Sequence, residues 1–402
     1  MKFLDRILGH KASTPDQIVR AYLAGATSAS GMPVNEETAY TAAAVYSCIR
    51  VIAETVASLP LQVYERLPDG GKQRAENHPL WDLLTKAPNA WQTPFEFREL
   101  LQGHLLLRGN AYAAITWVGQ SVAKELIPLH PDRVTVEQRP DFSLVYKVAR
   151  KSGAPIQINQ EDMLHLRGLS SDGVTGRAPL EDARDAIGLA LATQRYGARV
   201  FKNNATPAVV ITHPSKLSPE ARNGLREQWD DIYSGTDNAA RTAVLAEGMK
   251  VEKLSMTAED AQFLETRKFS RSEIAGIFRV PPHMIGDLDR ATFGNIEHQS
   301  IEFVTHCIRP WLVRWEQALS MALFTAPGKY FPEHNVDALL RGDIKSRYEA
   351  YAIGRTNGWL SANEIRSWER LNPIPGGDTY IEPMNTRPLG TDNGNQNPAS
   401  GG

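Results

Sequence analysis

Apolar residues recur every three or four positions in "ETAYTAAAVYSCIRVIAETVASLP", where Val45, Cys48, Ile49, Ile52, Val56 and Leu59 form one stripe. The pattern predicts a helix that Pro60 ends. "LQVYER" then alternates like a strand, and "PDGGK" reads as a turn. "TPFEFRELLQGHLLLRGN" carries a helix start: Thr93 as N-cap, Pro94 at the first helical position, and Glu96 in capping-box spacing. Phe97, Leu100, Leu101, His104 and Leu105 make its inner face, and Gly109-Asn110 closes it. Five strand-like pieces follow, "AYAAITWV", "KELIPLH", "RVTVEQ", "LVYKVA" and "MLHLRG". Residues from about 60 to 170 therefore read as α+β with a meandering sheet.

Helices dominate the second half. "APLEDARDAIGLALATQRYGARVFKNN" places Glu181, Asp182 and Asp185 near its start and Arg195, Arg199 and Lys202 near its end, the order a helix dipole favours. "TPAVVIT" reads as a strand, "LSPEARNGLREQWDDIYSG" as a helix with Ser218 as N-cap, and "TAVLAEGMKVEKLSM" as a two-stranded ribbon. "TAEDAQFLETRKFSRSEIAGIF" opens on Thr257 and Asp260 in capping-box spacing. Its middle, with Arg267, Lys268 and Arg271, is mostly polar, which suits a helix between other helices or with one wet flank.

The segment "RVPPHMIGDLDRATFGNIEHQSIEF" interrupts this pattern. Val280 precedes a proline, which disfavours αR there, so the helix should stop near Arg279. Pro281 and Pro282 make a rigid corner that Gly286 can close, and Asn295 is a natural N-cap for the next helix. Ile301, Val304, Ile308, Leu312, Trp315, Leu319 and Leu323 define that helix from about 296 to 324, roughly 45 Å long. Pro310 lies inside it and should kink it, because it cannot donate to the carbonyl of His306. Near the end, Ser361 and Glu364 have capping-box spacing before the short apolar face Ile365, Trp368, Leu371. The Gly/Asn-rich tail "LGTDNGNQNPASGG" is expected to be disordered.

Composition narrows the classes. The chain has 402 residues, 42% hydrophobic and 22% charged, enough for packed cores in two or three domains. The formal net charge is -2, whereas a domain that holds nucleic acid by charge is usually distinctly basic. Cys48 and Cys307 are the two cysteines; both fall in apolar helical patterns and read as buried thiols. No apolar run approaches the ~18 residues that span a bilayer. "MKFLDRILGHK" puts Phe3, Leu4, Ile7 and Leu8 on one helical face, a short amphipathic arm without the apolar core of a signal peptide.

Candidate chemistry fails on spacing. "DLDRATFGNIEH" has Asp287 and Asp289 at the first and third places of a calcium loop, but Ala291, Thr292 and His298 stand where a ligand, Gly and Glu are needed. His283, His298 and His306, with Glu297 and Glu302, flank the same stretch without HExxH spacing, so a metal-dependent hydrolase is only a remote alternative. Glu333, His334 and Asp337 likewise lack ligand spacing. There is no GxxxxGK[ST], no GxGxxG after a strand and no GxSxG, and neither a cofactor nor a metal is expected. A non-enzymatic role is the leading inference.

From about Thr41 to Asp378 the chain resembles the portal proteins of tailed bacteriophages, of the HK97-like family. The resemblance rests on the number, order and spacing of "VYSCIRVIAETVASLPLQVY", "FEFRELLQGHLLLRGNAY", "YGARVFKNNATPAVV", "LREQWDDIYSG", "EDAQFLETRKFSRSEIAGIFRVPPHMIGDL", "ATFGNIEHQSIEFV", "IRPWLVRWEQAL" and "NGWLSANEIRSWERLNPIPGGD". It implies a portal-protein fold with a wing, a helical stem, a small α/β clip, a long kinked helix and a helical crown. It also implies a ring, usually of twelve subunits, at one capsid vertex. Its partners would be further copies of itself, double-stranded DNA without sequence specificity, the terminase large subunit, a head-tail adaptor, and the major capsid or scaffolding protein, with no membrane. Another head-tail connector sharing part of this fold is the alternative. The protein would reside in the virion, and in the host cytoplasm during assembly.

By the matching segments, residues 1-40 form an arm, 41-178 the wing, 179-203 the first stem helix and 204-257 the clip. Residues 258-285 form the second stem helix and the corner of Val280, Pro281 and Pro282. The channel loop is 286-294, the long helix 295-326 returns to the wing with its kink at Pro310, the crown is 331-382 and the tail 383-402. The resemblance places Asp287, Asp289, Arg290, Thr292 and Phe293 facing the DNA. Arg195, Arg199, Lys202, Arg267, Lys268 and Arg271 lie on the stem helices.

Overall fold

The computed structural model describes residues 27–68, 70–119, 122–150, 153–202, 209–212, 218–219, 223–224, 250–253, 258–288, 293–324, 328–336, 344–369 and 371–381. It divides into two compact units, 1–335 and 336–402.

The first unit opens with helices α1 (Glu36–Thr41) and α2 (Ala43–Ser58). The stripe predicted for α2 is its buried face: Val45, Cys48, Ile49, Ile52 and Val56 are all buried. Strands β1 (Leu61–Arg66) and β2 (Lys72–Arg74) follow, then α3 (Pro79–Thr85) and α4 (Pro94–Arg108). The capping box of α4 forms as its residues require: Glu96 N–H donates to Thr93 Oγ1 at 3.2 Å and Thr93 N–H to Glu96 Oε2 at 2.8 Å. Gly109 ends α4 in the left-handed region, φ 70°, and a Cβ there would lie 1.8 Å from the Arg177 carbonyl oxygen. Only glycine fits that turn.

Next come β3 (Asn110–Val118), β4 (Val122–Leu129), β5 (Val134–Gln138), β6 (Leu144–Val148), β7 (Ile156–Asn159) and β8 (Met163–Arg167). The expected meander is two antiparallel sheets, ordered β4-β3-β8 and β5-β6-β7. They share a core of Tyr112, Ala114, Ile127, Leu129, Leu144, Tyr146, Val148, Ile158 and Met163. Full burial of each large side chain there contributes roughly 1.5–3 kcal/mol. A buried chain of hydrogen bonds crosses the sheets: Tyr146 Oη to His165 Nδ1 at 3.3 Å and His165 Nε2 to Asn110 Oδ1 at 3.0 Å. Asn110 Nδ2 then donates to the Gly176 carbonyl at 2.8 Å.

Helices α5 (Pro179–Asp182) and α6 (Arg184–Lys202) divide at Ala183 the single helix expected there. Strand β9 (Val209–Thr212) pairs antiparallel with β10 (Lys250–Lys253), Lys250 opposite Thr212. Of the ribbon expected within 242–256, the described residues Lys250–Lys253 pair with "VVIT", and the rest lies outside the described residues. The helix expected from Ser218 and the start at Thr257 lie largely outside the described residues.

After α7 (Ala258–Phe278), one helical path runs as α8 (Phe293–Glu302), a π-helix (Phe303–Ile308) and α9 (Arg309–Leu323). The helix begins at Phe293, so Asn295 is not its N-cap. In the π turn the Arg309 N–H reaches back to the Val304 carbonyl, five residues away. Pro310 falls directly after the π turn, as the second residue of α9. The wider turn also shifts the apolar phase: Phe303, Val304, Cys307 and Ile308 are buried, but Ile301 is exposed. Trp315 is buried with its Nε1–H 2.8 Å from Gln102 Oε1 of α4.

Strand β11 (Tyr330–His334) pairs antiparallel with β1, Val63 opposite Pro332, in a sheet ordered β11-β1-β2. Residues 331–335, read from the sequence as the start of the crown, thus belong with the first unit, and the second unit begins at Val336. The second unit holds α10 (Ile344–Thr356) and α11 (Ala362–Trp368). Ser361 caps α11 in the expected box with Glu364. Arg347 and Tyr351 of α10 both bind the Glu369 carboxylate, at 2.9 Å and 3.0 Å.

Candidate functional site: the double-proline corner

Helix α7 ends in a Schellman motif. Val280 N–H donates to the Ala275 carbonyl at 2.9 Å and Arg279 N–H to the Gly276 carbonyl at 3.1 Å. The motif requires a left-handed residue, and Arg279 supplies it at φ 56°. The apolar contact that accompanies such caps is available too, since Ala275 and Val280 are both buried. Pro281 then carries the chain into a 3-10 turn, Pro282–Ile285, closed by Gly286 at φ 79°. Asp287 N–H donates back to the Pro282 carbonyl at 3.0 Å. Paired prolines and a left-handed residue at each end thus prescribe the backbone from Arg279 to Gly286.

Three contacts hold this corner. His283 Nδ1–H lies 2.7 Å from Gln299 Oε1 on α8. Cys307, in the π turn, donates its thiol to the Phe278 carbonyl at 3.4 Å. Helix α2 packs against α7, the 3-10 turn and the π-helix together. Burial pushes the thiols of Cys307 and Cys48 up to about 12, so both stay neutral.

Of the residues named for the channel-facing loop, Asp287 is half-buried and Asp289, Arg290 and Thr292 lie outside the described residues. Phe293, expected in the loop, is the first residue of α8. Leu288, not singled out from the sequence, is 64% exposed just past the corner. Its signal was there to read: an apolar residue stranded in a polar loop. Val280 is buried, Pro281 half-buried and Pro282 exposed.

The two stem-assigned helices, α6 and α7, pack closely. A Cβ on Gly197 would come 2.7 Å from the Phe263 ring, and Tyr196 and Phe263 have ring centroids 5.4 Å apart. Arg195, Arg199, Arg267, Lys268 and Arg271 are exposed; only the backbone of Lys202 is described. Phe269 is 65% exposed among them. The segment before α1 crosses α6 at Gly188, where a Cβ would collide with the Ser28 side chain, and Ala29 N–H donates to Asp185 Oδ1 at 2.8 Å.

Of the His/Glu group weighed as a hydrolase, His298, Glu302 and His306 are exposed, and the side chain of Glu297 lies outside the described residues. Among the described residues, the grouping close enough to meet a metal ion is Glu36, His130 and Asp132. There the Arg108 guanidinium already sits between the carboxylates, 2.6 Å from Asp132 and 3.4 Å from Glu36. A metal ion would have to displace it.

The model of the phage portal protein family matches residues 43–369. The chain belongs to this family, in its HK97-like branch. It is 35% identical over 384 residues to the probable portal protein of Streptomyces phage phiC31, covering 92% of this chain and 83% of that one. It is 30% identical over 406 residues to the portal protein of Enterobacteria phage HK97, covering 98% and 94% of the two. A chain in the neck of an empty gene transfer agent particle, solved with C6 symmetry, superposes with a TM-score of 0.62 at 25% identity, covering 91% of this portal chain and 96% of its own. The portal family is a structural one, consistent with a site built from helix ends and prolines rather than from nucleophiles or bases.

Proposed function

We propose that the chain closes into a ring of twelve at one capsid vertex, with the segment after the double-proline corner directed at the axis. Double-stranded DNA is packaged through the channel by terminase, retained, and later ejected. The clip side meets the terminase large subunit and then the head-tail adaptor, and the wing side meets the shell or its scaffold.

The observation that carries this reading is the near end-to-end relationship to the HK97 portal protein, 94% of whose length is covered. The physical design agrees. A channel that lets DNA slide must not grip phosphates, because each persistent Lys or Arg contact adds affinity. The chain has a net charge of -2, and the described residues just past the corner are Asp287 and Leu288. The corner's fixed backbone suits presentation of a short segment at a repeatable position in every copy. In this reading the wing and stem belong to the N-terminal unit and the crown to the second unit.

Deleting residues 288–292 tests the loop's role. Rings of unchanged mass should form, with DNA packaging or retention impaired. Wild-type packaging and retention by the deletion would remove the assigned role.

A further inference from the structure

Faces of three helices meet in a cleft of about 520 Å³. Glu36 and Tyr40 stand one turn apart on α1; Tyr46, Arg50 and Glu54 recur at the same spacing on α2; Glu96, Glu99 and Gly103 do so on α4. The volume is in the range of small-molecule sites. The Tyr40 and Tyr46 rings, both exposed, meet edge to face at 68° with centroids 6.3 Å apart. Aromatic faces so placed attract a cation.

The charges of this cleft do not balance. Among the described residues that line it, Arg50 is the one arginine or lysine, and it is spent on Glu54, Nε to Oε1 at 2.7 Å. Glu36 faces the Arg108 guanidinium at 3.4 Å. Glu96 accepts from the N–H and hydroxyl of Thr93, neutral donors both. Glu99 makes no ion pair or hydrogen bond among the described residues. Two carboxylates therefore keep uncompensated charge. Carboxylates alone would be a solvated surface, but His104 adds a second demand. It lines the cleft, is only 7% exposed, and its Nδ1 has no hydrogen-bond partner. Burial lowers this ring to about 4, so at pH 7 it is neutral and does not repel a cation. With its proton on Nε2, Nδ1 is an acceptor. A buried acceptor left unpaired is costly, and an N–H brought in by a ligand removes that cost.

We propose that this cleft binds a linear polyamine. Its ammonium groups donate to Glu96, Glu99 and His104 Nδ1, and its methylene chain lies against the rings of Tyr40 and Tyr46. Carboxylates on α4 together with a neutral imidazole ask for N–H donors, and more than one uncompensated carboxylate asks for more than one ammonium. The inference goes beyond the proposed function and does not rest on it, because every residue of the cleft belongs to one chain.

The test is isothermal titration calorimetry of the purified full chain with the triamine spermidine. One site per chain is expected, with affinity falling as salt rises. Glu99→Gln should weaken binding about fivefold and His104→Leu about tenfold. Glu161→Gln, which removes an exposed carboxylate outside the cleft, should leave it unchanged. Glu99 is half-buried and bonds to no described residue, so its variant keeps the fold, and urea unfolding of each variant checks this. No saturable binding by the folded chain, or undiminished affinity in both cleft variants, would overturn the inference. So would Nα-acetyllysine amide binding as tightly as spermidine, which would assign the cleft to a polypeptide lysine, or magnesium displacing spermidine at equal concentration. A chain that binds spermidine yet never forms rings would support the cleft and count against the ring alone.

Discussion

His283 Nδ1–H donates to Gln299 Oε1 at 2.7 Å, tying the double-proline corner to the helix that leaves it. Both side chains are half-buried, so the bond has a partner on each side and little water to replace it. Gln299→Leu should lower stability by about 0.5–1.5 kcal/mol and speed proteolysis within the segment between corner and helix. Urea unfolding and limited proteolysis read the two effects. Unchanged values in both would mean that the corner is held by its prolines alone.

Arg279 offers the opposite sign. It occupies the left-handed position of the α7 cap, φ 56°, where glycine carries no steric penalty. Arg279→Gly should stabilise the chain by about 1 kcal/mol, measured by urea unfolding. A loss of stability would show that the guanidinium contributes more than the strain costs.

These two residues mark the limit of what the sequence discloses. Caps were legible where the residues themselves bond, as at Thr93–Glu96 and Ser361–Glu364. So was the stop at Val280, which a proline enforces. Arg279 was not legible as a left-handed residue, because its conformation comes from the hydrogen bonds around it. Pro310 was legible as trouble for a helix, but not its remedy, since a π turn costs or gains according to what Phe303 and Cys307 can pack against. The pairing of Val63 with Pro332 joins positions far apart in the chain, and local pattern holds no record of it. At the corner, the sequence named Asp287 but passed over Leu288, although an apolar residue between two aspartates was legible there.

Acid should weaken the first unit. Burial lowers His104 to about 4 and His165 to about 3, from an ordinary 6.5, and also lowers His334. These rings are neutral when folded, while the unfolded chain takes up protons below about 6.5. Their stabilisation is therefore complete above that value and falls away as pH drops toward 4 and then 3. Between pH 7 and 5 the loss should be on the order of 1–2 kcal/mol for each of His104 and His165. His104 Nδ1 is also buried without a partner. His104→Leu should raise stability at pH 5 and flatten the slope; unfolding curves at pH 7 and 5 test both, and an unchanged slope would mean that His104 does not drive the acid effect.

Gly197 sets how closely α6 and α7 approach. A Cβ there meets the Phe263 ring at 2.7 Å, so Gly197→Ala must displace the ring. The expected cost is about 1–3 kcal/mol, relieved by Phe263→Leu in the double variant. Thermal unfolding of the single and double variants measures the coupling, and purely additive effects would contradict the packing described.

The most direct test is electron microscopy of the purified assembly viewed down its symmetry axis, joined to native mass measurement. The predicted result is a closed annulus of twelve 44.5 kDa chains, with the Asp287–Phe293 segment of each copy nearest the central hole. A particle that stays monomeric under all assembly conditions, or a ring in which that segment faces outward, would contradict it.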